Sequence, residues 1–289
     1  MEKNTDFKLS IIVPSLNEQA SIALALNSII SAFENQGIKG EIVVVNDGSA
    51  DGTTEIVEGF IKRFPFIRMI RHEKPMGLGA SYWHGVREAQ GEVVSWMGGS
   101  YESFGQDIVR YLPLLDHVDI VAPFLFNLEC KSRHRQILSK IFRAIVNTTF
   151  GTNFNYTNGT LIYRKRILHD FEIRSTGYFF LAEFLIKAVR RGYLYAEVPF
   201  PMKKRVAGRS RITAGAILGV FKGYLYMVKE IYFSTSPAKS YDSNSITAMR
   251  WKEATPAETF GLSAGTQNTG VQIEDSKISP ELSSIKGSY

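Results

Sequence analysis

Apolar residues in the first half of the chain fall into short β-branched runs at 9–13, 41–45, 67–70, 92–97 and 118–122. Such runs are too short for helices and too continuous for strands with one wet face, so they predict strands buried on both sides. Between them the period changes. Residues 20–35 place Ile22, Leu26, Ile29, Ile30 and Phe33 on one helical face, and residues 53–63 do the same with Ile56, Val57 and Phe60. Asp51 stands where the second helix needs a cap. A third helix is expected over 78–90, entered through Pro75 and two glycines. This alternation predicts an α/β fold with a mostly parallel central sheet and helices on both faces.

The second half reads differently. A helix over 134–150 is expected to pack Ile137, Ile141, Ile145 and Val146, and a short strand follows at 160–163. Residues 179–191 form a helix with Phe180, Phe184, Ile186 and Val189 available to the core, and Tyr193 to Pro199 reads as an edge strand ended by proline. No polar linker divides residues 1–211, which are expected to form one domain. Residues 212–235 are apolar and aromatic but broken by Lys222, Lys229 and Glu230, short of the ~18–20 uncharged residues that cross a bilayer. They are expected to form a helix that covers its own core or a partner chain, or that lies on a membrane surface. Residues 236–289, rich in Ser, Thr, Gly and Asn, are expected to be a weakly structured tail or an oligomer arm.

Composition narrows the class. The single cysteine, Cys130, excludes an internal disulfide framework or a cysteine-rich metal site. Met1 to Asp6 is polar and fits no secretory leader, so a cytoplasmic location is expected, with peripheral attachment at the cytoplasmic membrane face as the alternative. The net charge of +6 is concentrated in two clusters: Lys131, Arg133, Arg135, Lys140 and Arg143, and then Lys203, Lys204, Arg205, Arg209 and Arg211. Either could be a solvated face, but Gly208 gives the 203–211 cluster the character of a loop that wraps an anion. Nucleic acid is not expected as a partner, because no aromatic ladder, helix-turn-helix or zinc pattern accompanies the charge. His72 and His84 lack metal-ligand spacing, and His84 beside Trp83 reads as structural.

Two strands end in polar turns: Ile11-Ile-Val-Pro-Ser-Leu-Asn-Glu18, and Glu41 through Thr53 with Asn46-Asp-Gly-Ser-Ala-Asp-Gly52. Polar groups at the C-terminal ends of buried strands make a ligand crevice of the open α/β type. Asp47 is expected to meet a base edge or ribose, or else only to bond its own turn; Glu18 is open to ribose contact or to capping its own helix. The first strand leads into Pro-Ser-Leu-Asn-Glu rather than a Gly-x-Gly-x-x-Gly turn, which disfavours a nicotinamide enzyme.

Five segments together resemble the family 2 glycosyltransferases of the GT-A fold, especially those that move mannose or glucose to dolichyl or polyprenyl phosphate. They are Val13-Pro-Ser-Leu-Asn-Glu18, Val45-Asn-Asp-Gly-Ser-Ala-Asp-Gly-Thr53, Arg71 through Ala80, Glu183 through Pro199, and Arg205-Val-Ala-Gly-Arg-Ser-Arg211. The resemblance covers roughly residues 9 to 212. It implies a UDP- or GDP-linked sugar held by Pro14, Asn17, Glu18, Asp47, Ser49, Arg71, Gly77, Gly98, Gly99 and Ser100, with Arg205, Arg209, Arg211 and Glu183 in catalysis. It also implies inversion at the anomeric carbon, polyprenyl phosphate as acceptor, and Mg²⁺ or Mn²⁺ held by an Asp-x-Asp pair.

The chain departs from that pattern twice. Met97-Gly98-Gly99-Ser100 stands where the Asp-x-Asp pair is expected, and Asn155 stands where the polyprenyl-phosphate enzymes tend to carry aspartate. No metal ligand is therefore assigned, and no cofactor is firmly implied. Phosphate is expected to be neutralised by Arg209 and Arg211, helped by Lys74 or Arg133, or a metal to be held by Glu102 or Asp107 instead. A catalytically reduced nucleotide-sugar-binding or scaffold protein of the same fold, or a transferase to a non-lipid hydroxyl acceptor, remains the alternative. A homo-oligomer through 212–235 and the tail is also expected.

Overall fold

The computed structural model describes residues 7–127, 129, 133–206, 214–233 and 243–254. Seven strands form one sheet: β1 (Leu9–Ser15), β2 (Gly40–Asn46), β3 (Ile67–Arg71), β4 (Val93–Trp96), β5 (Ile120–Leu125), β6 (Ile162–Arg164) and β7 (Tyr195–Phe200). Their order is β3-β2-β1-β4-β6-β5-β7. β6 runs antiparallel to both β4 and β5, and the other pairings are parallel. Every residue of β1 and β2 is buried. That is why these runs are continuously apolar rather than alternating.

Alternation acts instead to divide the two core layers. Leu9, Ile11 and Val13 of β1 pack with α1 (Ile22–Gln36), α2 (Thr53–Arg63) and the short α4 (Gly105–Val109). Ile12 faces the opposite layer, with α3 (Leu78–Glu88), α5 (Arg133–Phe150), α6 (Phe180–Arg190) and α7 (Ala214–Phe233). Helix α6 is buried almost all round, from Phe180 to Ala188. Each large apolar side chain taken from water there contributes about 1.5–3 kcal/mol. The expected elements appear within a few residues of their predicted ends.

Two expectations change. Val146 of α5 is buried, but Ile137, Ile141 and Ile145 are 56%, 52% and 45% exposed, so the predicted packing face is largely open. Within the segment expected to be weakly structured, Ile246–Ala254 forms α8. The cause is Asp119, fully buried at the start of β5, which accepts the N–H groups of Ile246 and Thr247 (both 2.9 Å) and the Thr247 hydroxyl (2.5 Å). It satisfies the orphan donors at the helix start from across the fold. Residues 236–242 and 255–289 of the expected tail lie outside the described residues.

Candidate nucleotide-sugar site

The C-terminal ends of β1, β2 and β4 open into a crevice of about 750 Å³. Pro14 has no N–H to give a neighbouring strand, but its carbonyl accepts the Gly99 N–H (3.1 Å), which ties the β1 elbow to the turn after β4. A Cβ at Gly99 would lie 2.4 Å from Ser15 Oγ, so a side chain there would have to displace the serine hydroxyl. Beyond the elbow, Asn17 adopts φ +53°, a left-handed conformation that asparagine tolerates better than most residues. Its side chain accepts the Ala50 N–H (2.8 Å), while Ser49 Oγ accepts the Asn17 N–H (2.9 Å). Asp51 accepts the Gln19 and Thr53 N–H groups at 3.2 and 3.0 Å, so it braces both the elbow and the start of α2.

Asp47 anchors the opposite lip. Its Oδ1 accepts His72 Nδ1 (2.7 Å) and the Met76 N–H (2.8 Å), and its Oδ2 accepts the Gly77 N–H (2.9 Å). Burial alone would raise its pKa, but bonds from His72, Met76 and Gly77 outweigh burial and hold the carboxyl below its usual value. His72 Nε2 in turn lies 2.9 Å from His84 Nδ1, with the rings stacked at 5.2 Å. The two ring nitrogens of His72 join the Asp47 carboxylate to the His84 ring in one hydrogen-bonded chain. The structure thus gives His84 a definite hydrogen-bonding post in a relay that residue spacing did not reveal.

Of the residues singled out from sequence, Pro14, Glu18, Asp47, Gly77, Gly98, Gly99, Ser100 and Arg205 line the crevice. Arg205 and Glu18 form an ion pair within it. Asn17 and Ser49 brace the elbow from behind. Arg71 is exposed and pairs with Glu58 of α2 rather than facing the crevice. Glu183 is placed elsewhere too: fully buried, it accepts the Arg174 and Ser175 N–H groups (3.1 and 2.8 Å) and pairs with Lys187 (2.9 Å). That arrangement fastens the 172–175 segment to α6. Arg209 and Arg211 lie outside the described residues.

Past the strand ends, the crevice runs between α5 and α7, walled by Leu138, Ile141, Phe142, Ile145, Ile217 and Val220. Arg135 also lines it. This apolar trough was missed from sequence because its residues carry the period of a core-facing helix. Asn155 is explained by its neighbour: its N–H and Nδ2 donate to Glu197 at 2.7 and 2.6 Å, where an aspartate would set two carboxylates together.

Among the described residues, no three His, Cys, Asp or Glu side chains gather as a metal cage. Ser100 Oγ donates to Glu102 Oε2 (2.8 Å), and both residues line the crevice. A hard cation shared with a diphosphate needs only one or two protein carboxylates, because phosphates and waters complete its shell. The Glu102–Ser100 corner fits that arrangement and does not fit an ion caged by protein alone.

Residues 10–171 match the profile of "Glycosyl transferase family 2". A dolichol-phosphate mannosyltransferase of Pyrococcus furiosus is 26% identical over 77% of this chain and 64% of its own length. A cholesterol galactosyltransferase of Borreliella burgdorferi is 31% identical over 57% of this chain and 50% of its own. The chain therefore spans about half to two thirds of the length of these curated relatives. Among solved structures, glucosyl-3-phosphoglycerate synthase from Mycobacterium tuberculosis, in complex with Mn²⁺, UDP and phosphoglyceric acid, superposes with a TM-score of 0.61. Its sequence identity is 18%, over 77% of this chain and 79% of that one. The mixed, mostly parallel sheet flanked by helices is thus the GT-A glycosyltransferase architecture. With the profile covering more than half of the sequence, the chain belongs to glycosyl transferase family 2.

Proposed function

We propose that this protein binds a nucleoside diphosphate sugar at the ends of β1, β2 and β4 and transfers the sugar, with inversion, to a lipid phosphate of the polyprenyl type. The observation that carries this reading is the continuity of the crevice. Its polar end, with Glu18, Asp47, Ser100 and Glu102, runs directly into the apolar trough between α5 and α7. One end suits a charged, hydroxyl-rich donor, and the other suits an acyl or isoprenoid chain. The similarity to the dolichol-phosphate mannosyltransferase of Pyrococcus furiosus supports the same choice.

The chemistry asks little of a base. A phosphate oxygen of the acceptor is already anionic near neutral pH, so it attacks the anomeric carbon directly. As that C–O bond forms, the bond to the diphosphate breaks, and the leaving diphosphate gathers charge. In this reading Arg205, which lines the crevice, would meet that charge together with Arg209 and Arg211. Glu102 and Ser100 would hold a Mg²⁺ or Mn²⁺ ion, which when bound neutralises the diphosphate. The trough would hold the apolar chain of the acceptor.

A lipid hydroxyl acceptor is the second reading, favoured by Glu102 as a crevice carboxylate able to take a proton and by the similarity to a cholesterol galactosyltransferase. Calorimetric titration with UDP, GDP and their sugars, each with and without Mn²⁺, tests the donor half. Binding of a diphosphate at least tenfold tighter than of the matching nucleoside supports it, and no diphosphate binding overturns it.

A further inference from the structure

Helices α5 and α7 display the same uncovered pattern. On α5, Ile137, Leu138, Ile141 and Ile145 are 56%, 59%, 52% and 45% exposed; on α7, Ile217, Leu218, Phe221 and Leu225 are 56%, 52%, 55% and 48% exposed. Both sets follow the spacing i, i+1, i+4, i+8, which gathers the four side chains into one helical stripe. Leu138, Ile141 and Ile145 wall the crevice from α5 and Ile217 walls it from α7, so both stripes border the same opening. Phe233 extends the α7 surface with 82% exposure. Apolar surface gathered in this way marks an interaction site.

Charge identifies the occupant. Helix α5 carries Arg133, Arg135, Lys140 and Arg143 and no acidic residue. Helix α7 adds exposed Lys222 and Lys229, while its Glu230 is engaged by Lys187 at 3.0 Å. No described helix is long and apolar enough to cross a membrane. We propose that the α5–α7 face docks on an anionic lipid bilayer, its apolar stripes entering the headgroup–acyl boundary and its cations meeting lipid phosphates. Two copies set face to face would instead oppose cations to cations. A face of this kind suits the interface, where apolar burial and attraction to anionic lipid add together. The crevice then opens at the bilayer, where a lipid phosphate enters without leaving its membrane. The purpose of this docking rests on the lipid-acceptor reading; its test needs no turnover.

The test is flotation of the full chain with phosphatidylcholine vesicles and with vesicles that also contain phosphatidylglycerol. Binding is expected to the anionic vesicles, to weaken with salt, and to fall about tenfold or more in Ile137→Glu/Phe221→Glu, two positions outside the crevice lining. Lys140→Glu/Lys222→Glu, altered only in charge, should lose the preference for anionic lipid and supplies the test if the first variant does not fold. No binding of the wild type to anionic vesicles, or equal binding by folded variants, overturns the proposal. A wild-type dimer in sedimentation that the first variant dissolves also overturns it, by assigning the face to a second copy. Vesicle binding without any lipid product would leave the docking in place and remove the lipid-acceptor reading.

Discussion

The guanidinium of Arg205 is paired with the carboxylate of Glu18, 187 residues away in sequence, on the wall of the crevice. Glu18 follows the β1 elbow and Arg205 follows β7, so the pair bridges the first and last strands of the chain. It holds an arginine in place at the polar end, where an incoming diphosphate would compete with Glu18 for it.

Arg205→Ala is therefore expected to weaken nucleoside diphosphate binding by about 1.5–3 kcal/mol, the worth of hydrogen bonds to a charged group, and to leave the nucleoside nearly unaffected. Paired calorimetric titrations measure the difference. An equal loss for nucleoside and diphosphate would show that Arg205 serves the fold rather than phosphate.

Asp47 makes a different prediction, because its carboxylate is already engaged by His72, Met76 and Gly77. Removing it leaves buried donors unmet, so Asp47→Ala should lower stability by about 1–3 kcal/mol as well as weakening nucleotide binding. Denaturant titration separates the two effects. A variant of wild-type stability with weakened binding would assign Asp47 to the ligand alone.

For Glu183 the expected loss is one of stability. Its buried pairing with Lys187 and its bonds to the backbone of residues 174 and 175 predict a cost of about 3–5 kcal/mol for Glu183→Ala. If the variant keeps its stability but loses turnover, the catalytic expectation drawn from the family resemblance stands.

The Asp47–His72–His84 chain also predicts a pH dependence. Burial first, and then His72 and Arg87, hold His84 below its ordinary value of 6.5. The unfolded chain binds that proton more readily, so this contribution is complete above 6.5 and is lost as pH falls toward the folded value. Asp47, also lowered, adds a second loss only below its ordinary 3.8. Unfolding midpoints at about pH 7 and about pH 5.5 should differ in the wild type, and His84→Gln should narrow that difference. An unchanged gap in the variant contradicts the relay.

Strand-forming runs such as Ile42–Val45 were legible because burial on both faces leaves a continuous apolar signature. So were the elbow residues Pro14 and Glu18, whose place at a strand end needs only the strand to be found. Helix α8 was hidden because its anchor, Asp119, lies 127 residues from Ile246 and leaves no local signal. The α5 trough was misread for a related reason: Ile141 and Ile145 have the period of a core face, and only the neighbouring elements reveal that the face is uncovered. Glu183 sits in a segment that resembles a family motif, yet its carboxylate is spent on the backbone of residues 174 and 175.

The most direct test of the central claim is transfer of radiolabelled sugar from UDP- and GDP-linked donors to polyprenyl phosphate, with Mg²⁺, with Mn²⁺ and with EDTA. Labelled lipid is the predicted product, reduced ~10²-fold by Arg211→Ala while diphosphate affinity stays within about tenfold. Label that never reaches the phosphate acceptor under any donor or metal condition, while nucleotide still binds, would contradict the account.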